Sequence, residues 1–187
     1  MYNLDWLLTH TESEERVKYL FFWGHQPNAS GELSGSCLSQ WWPASFIVDG
    51  VRYATAEHWM MAGKARLFGD EETLERIIEA SHPHKAKELG RQVRGFNQQA
   101  WEACRFELVV TGNEAKFSQH DDLRAFLLRT GRRVLVEASP VDRIWGVGLA
   151  ADDERVGNPR TWRGLNLLGF ALMEVRDRLA AAPPHRK

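Results

Sequence analysis

Alternating apolar and polar positions predict a few short strands in a chain that is otherwise mostly helical. The run "VKYLFFW" predicts a strand over 17–23, and "RRVLVEAS" predicts another over 132–139. Between them, "ASFIVDGVRYAT" predicts a hairpin that turns at Asp49 and Gly50, because this dipeptide tolerates the positive φ of a tight turn.

Apolar residues repeat with a helical period over most of the remaining chain. The first helix follows the hairpin, with Thr55 as its N-cap. The others are predicted over 71–79, 83–92, 98–116, 122–129 and 165–181. Loops rich in Gly, Pro, Asn and Asp are predicted over 24–40 and 140–164, and the tail 183–187 is expected to fray. The pattern therefore predicts an α+β fold, a single mostly α-helical domain over 1–187 with a small β-sheet.

The composition fits a globular domain and narrows the function. The 187 residues are 43% hydrophobic and 26% charged, with a formal charge of -1, so no global field attracts nucleic acid or an anionic membrane. No apolar run is long enough for a membrane span, and the first twenty residues are too acidic for a signal peptide, which predicts a cytoplasmic protein. Cys37 and Cys104 are interpreted as buried small apolar residues. The eight Trp are compatible with either a Trp-rich core or a stacking surface for a flat ligand.

The first predicted helix, "TAEHWMMAGKARLF", carries two charged residues in an apolar context. At 100° per residue, Glu57 and Lys64 share one azimuth, about 10 Å apart along the axis. That separation is too long for an ordinary helical ion pair and would fit a sugar ring. Each residue is either one half of a structural salt bridge or part of a site. The side left for the exterior carries only His58, Ala62, Ala65 and Arg66.

Two glycine-containing motifs near the C-terminus are weaker indications of a site. In "DRIWGVG", Gly146 and Gly148 would permit close approach of a ligand to the backbone after a strand. In "WRGLNLLG", Asn166 stands at the start of the last helix, whose N-terminus could hold phosphate. Neither is a nucleotide-binding fingerprint, and no G-x-S-x-G or Walker sequence is present. His82 and His84 lack further partners, so no metal is expected.

Several ordered motifs together resemble the YbiA-like or NADAR (NAD and ADP-ribose associated) family. They run from about Leu20 to Leu179 and include "FFW", "LSQWWPASFIVDGVRYATAEHWMMAGKARLFGD", "LGRQVRGF", "WEACRFELV", "LVEASPVDRIWGVGL" and "WRGLNLLGFALMEVR". The resemblance implies a YbiA-like fold with a core over about 20–179. It also implies an N-glycosidase, acting either on ribosylated early riboflavin intermediates or on ADP-ribosylated guanine bases.

The resemblance also implies site residues. The family's functional Glu falls on Glu57, its helical Lys on Lys64 and the Asp of its D-x-x-W-G motif on Asp142, which makes these three the candidate catalytic residues. The candidate substrate-binding residues are Phe22, Trp23, Gln40, Trp41, Trp101, Trp145, Gly146, Gly148 and Asn166. Two positions depart from the family pattern: Gly63 replaces a side chain before the Lys, and Leu165 replaces a Lys that contacts phosphate.

These residues suit two mechanisms, neither of which needs a cofactor or a metal. In one, a deprotonated Lys64 displaces the base amine as an imine. In the other, a carboxylate activates water for direct hydrolysis through an oxocarbenium-like state. A non-catalytic module that binds ADP-ribose or NAD remains the competing class. The expected partner is a small ribosylamine phosphate or an ADP-ribosylated guanine substrate, with nucleic acid bound only as substrate.

Overall fold

The computed structural model describes residues 1–12, 17–28 and 32–182. The predicted frayed tail, 183–187, and part of the predicted loop 24–40 lie outside the described residues. The chain divides into two compact units. The first unit consists of Met1–Ser39 and Asp122–Lys187, and the second unit consists of Gln40–Asp121.

The described residues form seven α-helices and four short strands, which confirms the predicted α+β class with its excess of helix. The helices are α1 (Leu4–Glu12), α2 (Ala56–Leu67), α3 (Glu71–Ile78), α4 (Pro83–Arg91), α5 (Gln98–Ser118), α6 (Asp121–Arg129) and α7 (Leu167–Ala181). The strands are β1 (Tyr19–Phe22), β2 (Phe46–Val48), β3 (Val51–Tyr53) and β4 (Val134–Glu137). Each predicted element is found within a few residues of its expected bounds, whereas α1 was not predicted.

In the second unit, the hairpin of β2 and β3 leads directly into α2. Asp49 and Gly50 adopt φ angles of 50° and 76°, as the predicted tight turn requires. The Thr55 hydroxyl accepts the main-chain N–H of His58 and so caps α2, as predicted. Helix α2 then packs against α3, α4 and α5, which together surround it.

The prediction of an outer side for α2 is wrong for three of its four residues. His58, Ala62 and Ala65 are fully buried, and only Arg66 is exposed. The His58 ring bridges two elements, with Nδ1 2.8 Å from the Thr55 hydroxyl and Nε2 2.9 Å from the Ala80 carbonyl oxygen. Burial lowers the pKa of this imidazole. Because α2 is the central helix of its unit, its amphipathic pattern is weak and could not identify an exposed face.

In the first unit, β1 and β4 pair in parallel from Tyr19 with Val134 to Phe22 with Glu137. Helix α7 covers β4, and Val134–Val136 pack with apolar residues of α7 such as Phe170 and Leu172, all of them buried. Cys37 is buried in this unit as predicted, whereas Cys104, in the second unit, is only partly buried and donates its S–H to the Ala100 carbonyl. Among the described residues, none of the helices is both long and apolar enough to cross a membrane.

The close contact between α7 and β4 predicts a specific stability defect. A Cβ atom on Gly169 would lie 2.1 Å from the Leu135 carbonyl oxygen and 2.6 Å from the Asn166 side chain. Gly169→Ala should therefore lower the free energy of unfolding by about 1 to 3 kcal/mol, even though Ala favours a helix by about 1 kcal/mol over Gly. The matched control is Gly157→Ala, because a Cβ there meets nothing within 4 Å. Equal denaturation midpoints for the two variants would contradict this packing.

Candidate functional site

Glu57 lies in the first turn of α2 and is only 2% exposed. Its main-chain N–H donates to the Gln40 carbonyl oxygen at 3.0 Å, which ties the helix start to the segment that precedes the hairpin. The first turn of a helix is the positive end of its dipole, where a carboxylate is stabilised. The fold therefore holds a buried carboxylate at a fixed position, as a proton-transfer group requires.

Gln40, which accepts the Glu57 N–H with its main chain, also belongs to a buried amide pair. Its partner is Asn113, which was not a candidate site residue. The Asn113 Nδ2 atom, on α5, donates to Gln40 Oε1 at 2.8 Å and to the Val109 carbonyl at 2.9 Å. Gln40 is 6% exposed and Asn113 fully buried, yet Gln40 Nε2 and Asn113 Oδ1 make no hydrogen bond within the described residues. Buried polar atoms normally have a partner, so a bound water or a substrate hydroxyl would satisfy them.

Lys64 lies two turns further along α2 and is half-buried. Its Nζ atom donates to the Gly90 carbonyl oxygen at 2.7 Å, and no carboxylate of the described residues lies within ion-pair distance. Burial lowers the pKa of this amine. The sequence left two interpretations open for Lys64, a structural salt bridge and a site residue. Among the described residues, Lys64 forms no salt bridge.

Aromatic rings complete the surroundings of the Lys64 amine. Nζ lies 4.2 Å from the centroid of the Phe96 ring and 6.0 Å from that of Trp101. Trp101 lies in the first turn of α5 and is 8% exposed. The structure thus brings together two residues that the sequence placed in one site, and adds Phe96 and the Gly90 carbonyl. Both lie in the motif "LGRQVRGF", but neither was a candidate site residue.

Trp101→Ala separates a binding role from a packing role for this ring. If Trp101 stacks on the leaving base, the variant should bind substrate more weakly by about 1 to 3 kcal/mol, measured as KM or by titration. If the ring serves only the core, the loss should appear as about 3 to 5 kcal/mol of stability. A thermal melt beside the titration distinguishes the two, and an unchanged KM in the folded variant would contradict the stacking role.

Gly63, one of the two departures from the family pattern, has a packing explanation. A Cβ atom at this position would lie 2.5 Å from a terminal carbon of Leu108 on α5. Trp59, on the same helix, donates its indole N–H to the Leu108 carbonyl at 2.7 Å. Leu108 therefore fills the space that a side chain at position 63 would take, and Trp59 is a core residue and no stacking surface.

Trp41 is partly buried within a set of basic side chains. Its ring centroid lies 6.0 Å from that of His82 and 6.1 Å from that of His84, both edge-on, and Lys87 Nζ is 5.9 Å away. The His82 ring caps α4 by accepting the main-chain N–H of His84. Groups of three or more metal-ligating side chains are not found in the part of the chain that the structure describes.

In the first unit, Asp142 organises the loop after β4. Its Oδ1 atom accepts the main-chain N–H groups of Ile144 and Trp145, both at 2.8 Å. Its Oδ2 atom makes no hydrogen bond to another described residue, and the side chain is partly exposed. One oxygen of Asp142 thus fixes the loop while the other stays available to a ligand.

The glycines of this loop face the chain's own backbone. A Cβ on Gly146 would lie 2.8 Å from the Glu137 carbonyl oxygen, and Gly148 has a φ of 69°. The need for glycine at these two positions thus follows from tight folding of the loop onto the end of β4. That both glycines also make room for a ligand stays a prediction.

The N-terminus of α7 is not the phosphate site that the sequence suggested. The main-chain N–H groups of Leu167 and Leu168 donate to the carbonyls of Ile144 and Trp145, so they are unavailable to an anion. Asn166 is fully buried with a φ of 54°. Its side chain accepts the Glu137 N–H at 3.0 Å and donates to the Leu135 carbonyl at 2.9 Å, so it attaches α7 to β4.

The last two candidates lie at the end of β1. Phe22 is 3% exposed, and its carbonyl accepts the Ala138 N–H at 2.9 Å. Trp23 follows it and is 59% exposed, which makes it an accessible indole of the first unit.

The candidates of each unit are linked to one another. Within the second unit, the Glu57 N–H donates to the Gln40 carbonyl, and α2 carries both Glu57 and Lys64. The Lys64 amine lies 6.0 Å from the centroid of the Trp101 ring. Within the first unit, the Asp142 carboxylate accepts the Trp145 N–H, and the Asn166 N–H donates to the Gly146 carbonyl.

Comparison with known proteins identifies a family model that matches the chain. The model described as NADAR domain matches residues 21–180. N-glycosidase R617 of Acanthamoeba polyphaga mimivirus is 45% identical over 169 residues, which cover 87% of this chain and 97% of that protein. N-glycosidase YbiA of Escherichia coli (strain K12) is 37% identical over 139 residues, which cover 74% of this chain and 77% of the relative.

A solved structure supports the same relationship at the level of the fold. The NMR structure of the E. coli protein YbiA superposes with a TM-score of 0.69 at 29% sequence identity. The match covers 92% of this chain and 94% of that chain. Both the α+β architecture and the family resemblance predicted from the motifs are confirmed.

Proposed function

The chain belongs to the NADAR domain family and is a hydrolase of the N-glycosidase class, and from that premise we propose its substrate and its chemistry. The proposed reaction is hydrolysis of the bond between C1 of ribose 5-phosphate and the exocyclic amine of an early riboflavin intermediate. The observation that supports it is the environment of Lys64: an amine with a lowered pKa, a carbonyl partner and aromatic neighbours.

The chemistry follows from the oxidation level of the sugar carbon. C1 of a ribosylamine is at the aldehyde level, so the ring opens when its oxygen takes a proton and the base nitrogen forms a C=N bond to C1. The neutral Lys64 amine then attacks C1, and the base leaves as a free amine after it gains a proton. Water adds to the lysine imine, the C–N bond breaks, and ribose 5-phosphate is released with Lys64 regenerated.

Each of the other candidate groups has a defined task in this scheme. Glu57 moves the protons, first to the ring oxygen and then between the leaving amine and water. Asp142 uses the carboxylate oxygen that its loop leaves available to orient ribose hydroxyls or water. Trp101 stacks on the base. A lysine held among rings and a carbonyl is suited to nucleophilic attack, since a lysine that serves only to bind an anion gains nothing from a lowered pKa.

Direct hydrolysis is the alternative route to the same products. In it Glu57 or Asp142 activates water against C1, while the other carboxylate stabilises an oxocarbenium-like state, and Lys64 acts only as a charge. The two routes differ in the expected activity of Lys64→Arg, which keeps the charge but cannot form an imine.

The proposed substrate is tested by direct comparison of two ribosylated bases. The purified protein is incubated with a ribosylaminopyrimidine phosphate and, separately, with nucleic acid that carries ADP-ribosylated guanine. We expect free aminopyrimidine and ribose 5-phosphate from the first. Release of ADP-ribose from the second alone would replace the riboflavin assignment with the nucleic-acid one. Tight binding of ADP-ribose or NAD without release from either substrate would support a binding module instead.

A further inference from the structure

The first unit contains a cavity of about 700 Å³ that none of the candidate site residues lines. Its walls come from the face of α1, from the residues that precede β1 and β4, and from α7. Tyr2 and Trp6 form the wall at the N-terminus. This wall precedes residues 21–180, the range that the family model matches, so the cavity is partly built by chain outside that range.

The described residues that line this cavity carry mostly positive charge. Among them are four cationic side chains, those of Lys18, Arg132, Arg133 and Arg176, and one carboxylate, that of Asp177. The whole chain has a formal charge of -1, so this concentration of positive charge is local. A concave surface lined by one sign of charge attracts ligands of the opposite sign.

Arg176 is the buried member of this set. It is 6% exposed, and its Nη1 atom donates to Thr130 Oγ1 at 3.0 Å and to the Arg133 carbonyl at 2.8 Å. The side chains of Tyr2 and Asp177 also interact with this guanidinium. The Asp177 carboxylate lies 3.7 Å from Nε and also accepts the Tyr2 hydroxyl at 2.6 Å. Burial lowers the pKa of this guanidinium, so an anion beside it would offset a desolvation cost.

The aromatic wall determines what kind of anion fits. The Trp6 ring stacks on His10 at 5.1 Å with an interplanar angle of 13°, and Tyr2 contacts it edge-on at 4.5 Å. The Tyr2 main-chain N–H also donates to Glu174 Oε1 at 2.9 Å. Because the rings are packed on each other, they offer no open slot for a base. Recognition in this cavity would therefore depend on the charged groups.

We propose that this cavity is a second binding site, which takes a phosphorylated small molecule whose phosphate is bound by Lys18 and Arg132, with the buried Arg176 guanidinium behind them. Phosphate oxygens accept several charge-assisted hydrogen bonds at once, and guanidinium groups provide the matching planar donors. The volume holds a ligand of nucleotide size. The proposal does not depend on the substrate of the glycosidase reaction.

The test uses pyrophosphate as the probe with the full chain. Its affinity is measured by isothermal titration calorimetry for the wild type, for Lys18→Glu/Arg132→Glu and for the charge-matched control Arg76→Glu/Lys85→Glu. Both changed positions of each pair are exposed, so the fold should be retained. We expect the first pair to weaken binding about 10-fold or more, since two attractive charges become repulsive, and the control pair to bind like the wild type.

A second measurement separates this cavity from the catalytic residues. Lys64→Met should retain pyrophosphate binding, and the Trp6 indole N–H signal, assigned with Trp6→Phe, should shift on titration in a ¹H–¹⁵N spectrum. Loss of binding in Lys64→Met, with retention in Lys18→Glu/Arg132→Glu, would place the anion at the catalytic residues and overturn the proposal. If both charge-reversed pairs weaken pyrophosphate binding equally, the anion is attracted non-specifically, and the proposal is overturned as well.

Discussion

Lys64→Arg should abolish turnover, with a loss of roughly 10³-fold or more in kcat if the lysine is the nucleophile. The guanidinium of arginine stays protonated at any working pH and cannot form an imine. It can still donate to the Gly90 carbonyl and lie over the Phe96 ring, so the fold and the charge should be retained. Single-turnover kinetics and a thermal melt measure the two effects, and the exposed Lys85→Arg is the matched control.

Two further observations distinguish the imine from an electrostatic lysine. Borohydride added during turnover should leave a sugar mass on the tryptic peptide that contains Lys64. The acid side of the profile of kcat/KM should fall as pH drops through the lysine pKa, which burial has lowered, because protonation removes the nucleophile. Activity near that of the wild type in Lys64→Arg, with no trapped adduct while product forms, would leave direct hydrolysis as the mechanism.

Glu57→Gln should reduce turnover by roughly 10²- to 10⁴-fold, because the amide keeps the shape of the side chain but cannot transfer protons. The start of α2 should persist, since Thr55 still caps it and the main chain at position 57 still donates to the Gln40 carbonyl. The control is Glu75→Gln, an exposed position on α3. A folded fraction with normal specific activity and a lowered melting temperature would instead make Glu57 a structural residue.

Sequence patterns predicted most of the helices and strands because each of these elements depends mainly on residues close to it in the sequence. The hairpin turn, the Thr55 cap and the helices of the second unit all depend on neighbouring residues. Helix α1 was missed, and its contacts come from a distant part of the chain, the turn at Pro159–Thr161. The parallel pairing of β1 with β4 also depends on distant contacts and cannot be deduced from either segment alone.

For the site, the sequence indicated residue types but not their partners. One motif placed Glu57 and Lys64 on one helix. The neighbours of Lys64, the Gly90 carbonyl and Phe96, lie in a separate motif, "LGRQVRGF", and nothing in the sequence showed that the two motifs meet. The same limit applies to the loop glycines. A glycine required by contact with its own backbone looks the same in sequence as one required by a ligand, as Gly146 shows.

The discontinuity of the first unit has a consequence for synthesis on the ribosome. β1 is made early, but β4 and α7 emerge only after all of Gln40–Asp121 has been translated. The second unit depends on helices and a hairpin that are close in sequence, so it can become compact while the nascent chain is still growing. β1 must meanwhile remain without its partner strand, an apolar segment exposed to misassociation until Val134–Glu137 is released. We expect Glu57 and Lys64 to reach their folded surroundings before Asp142 does.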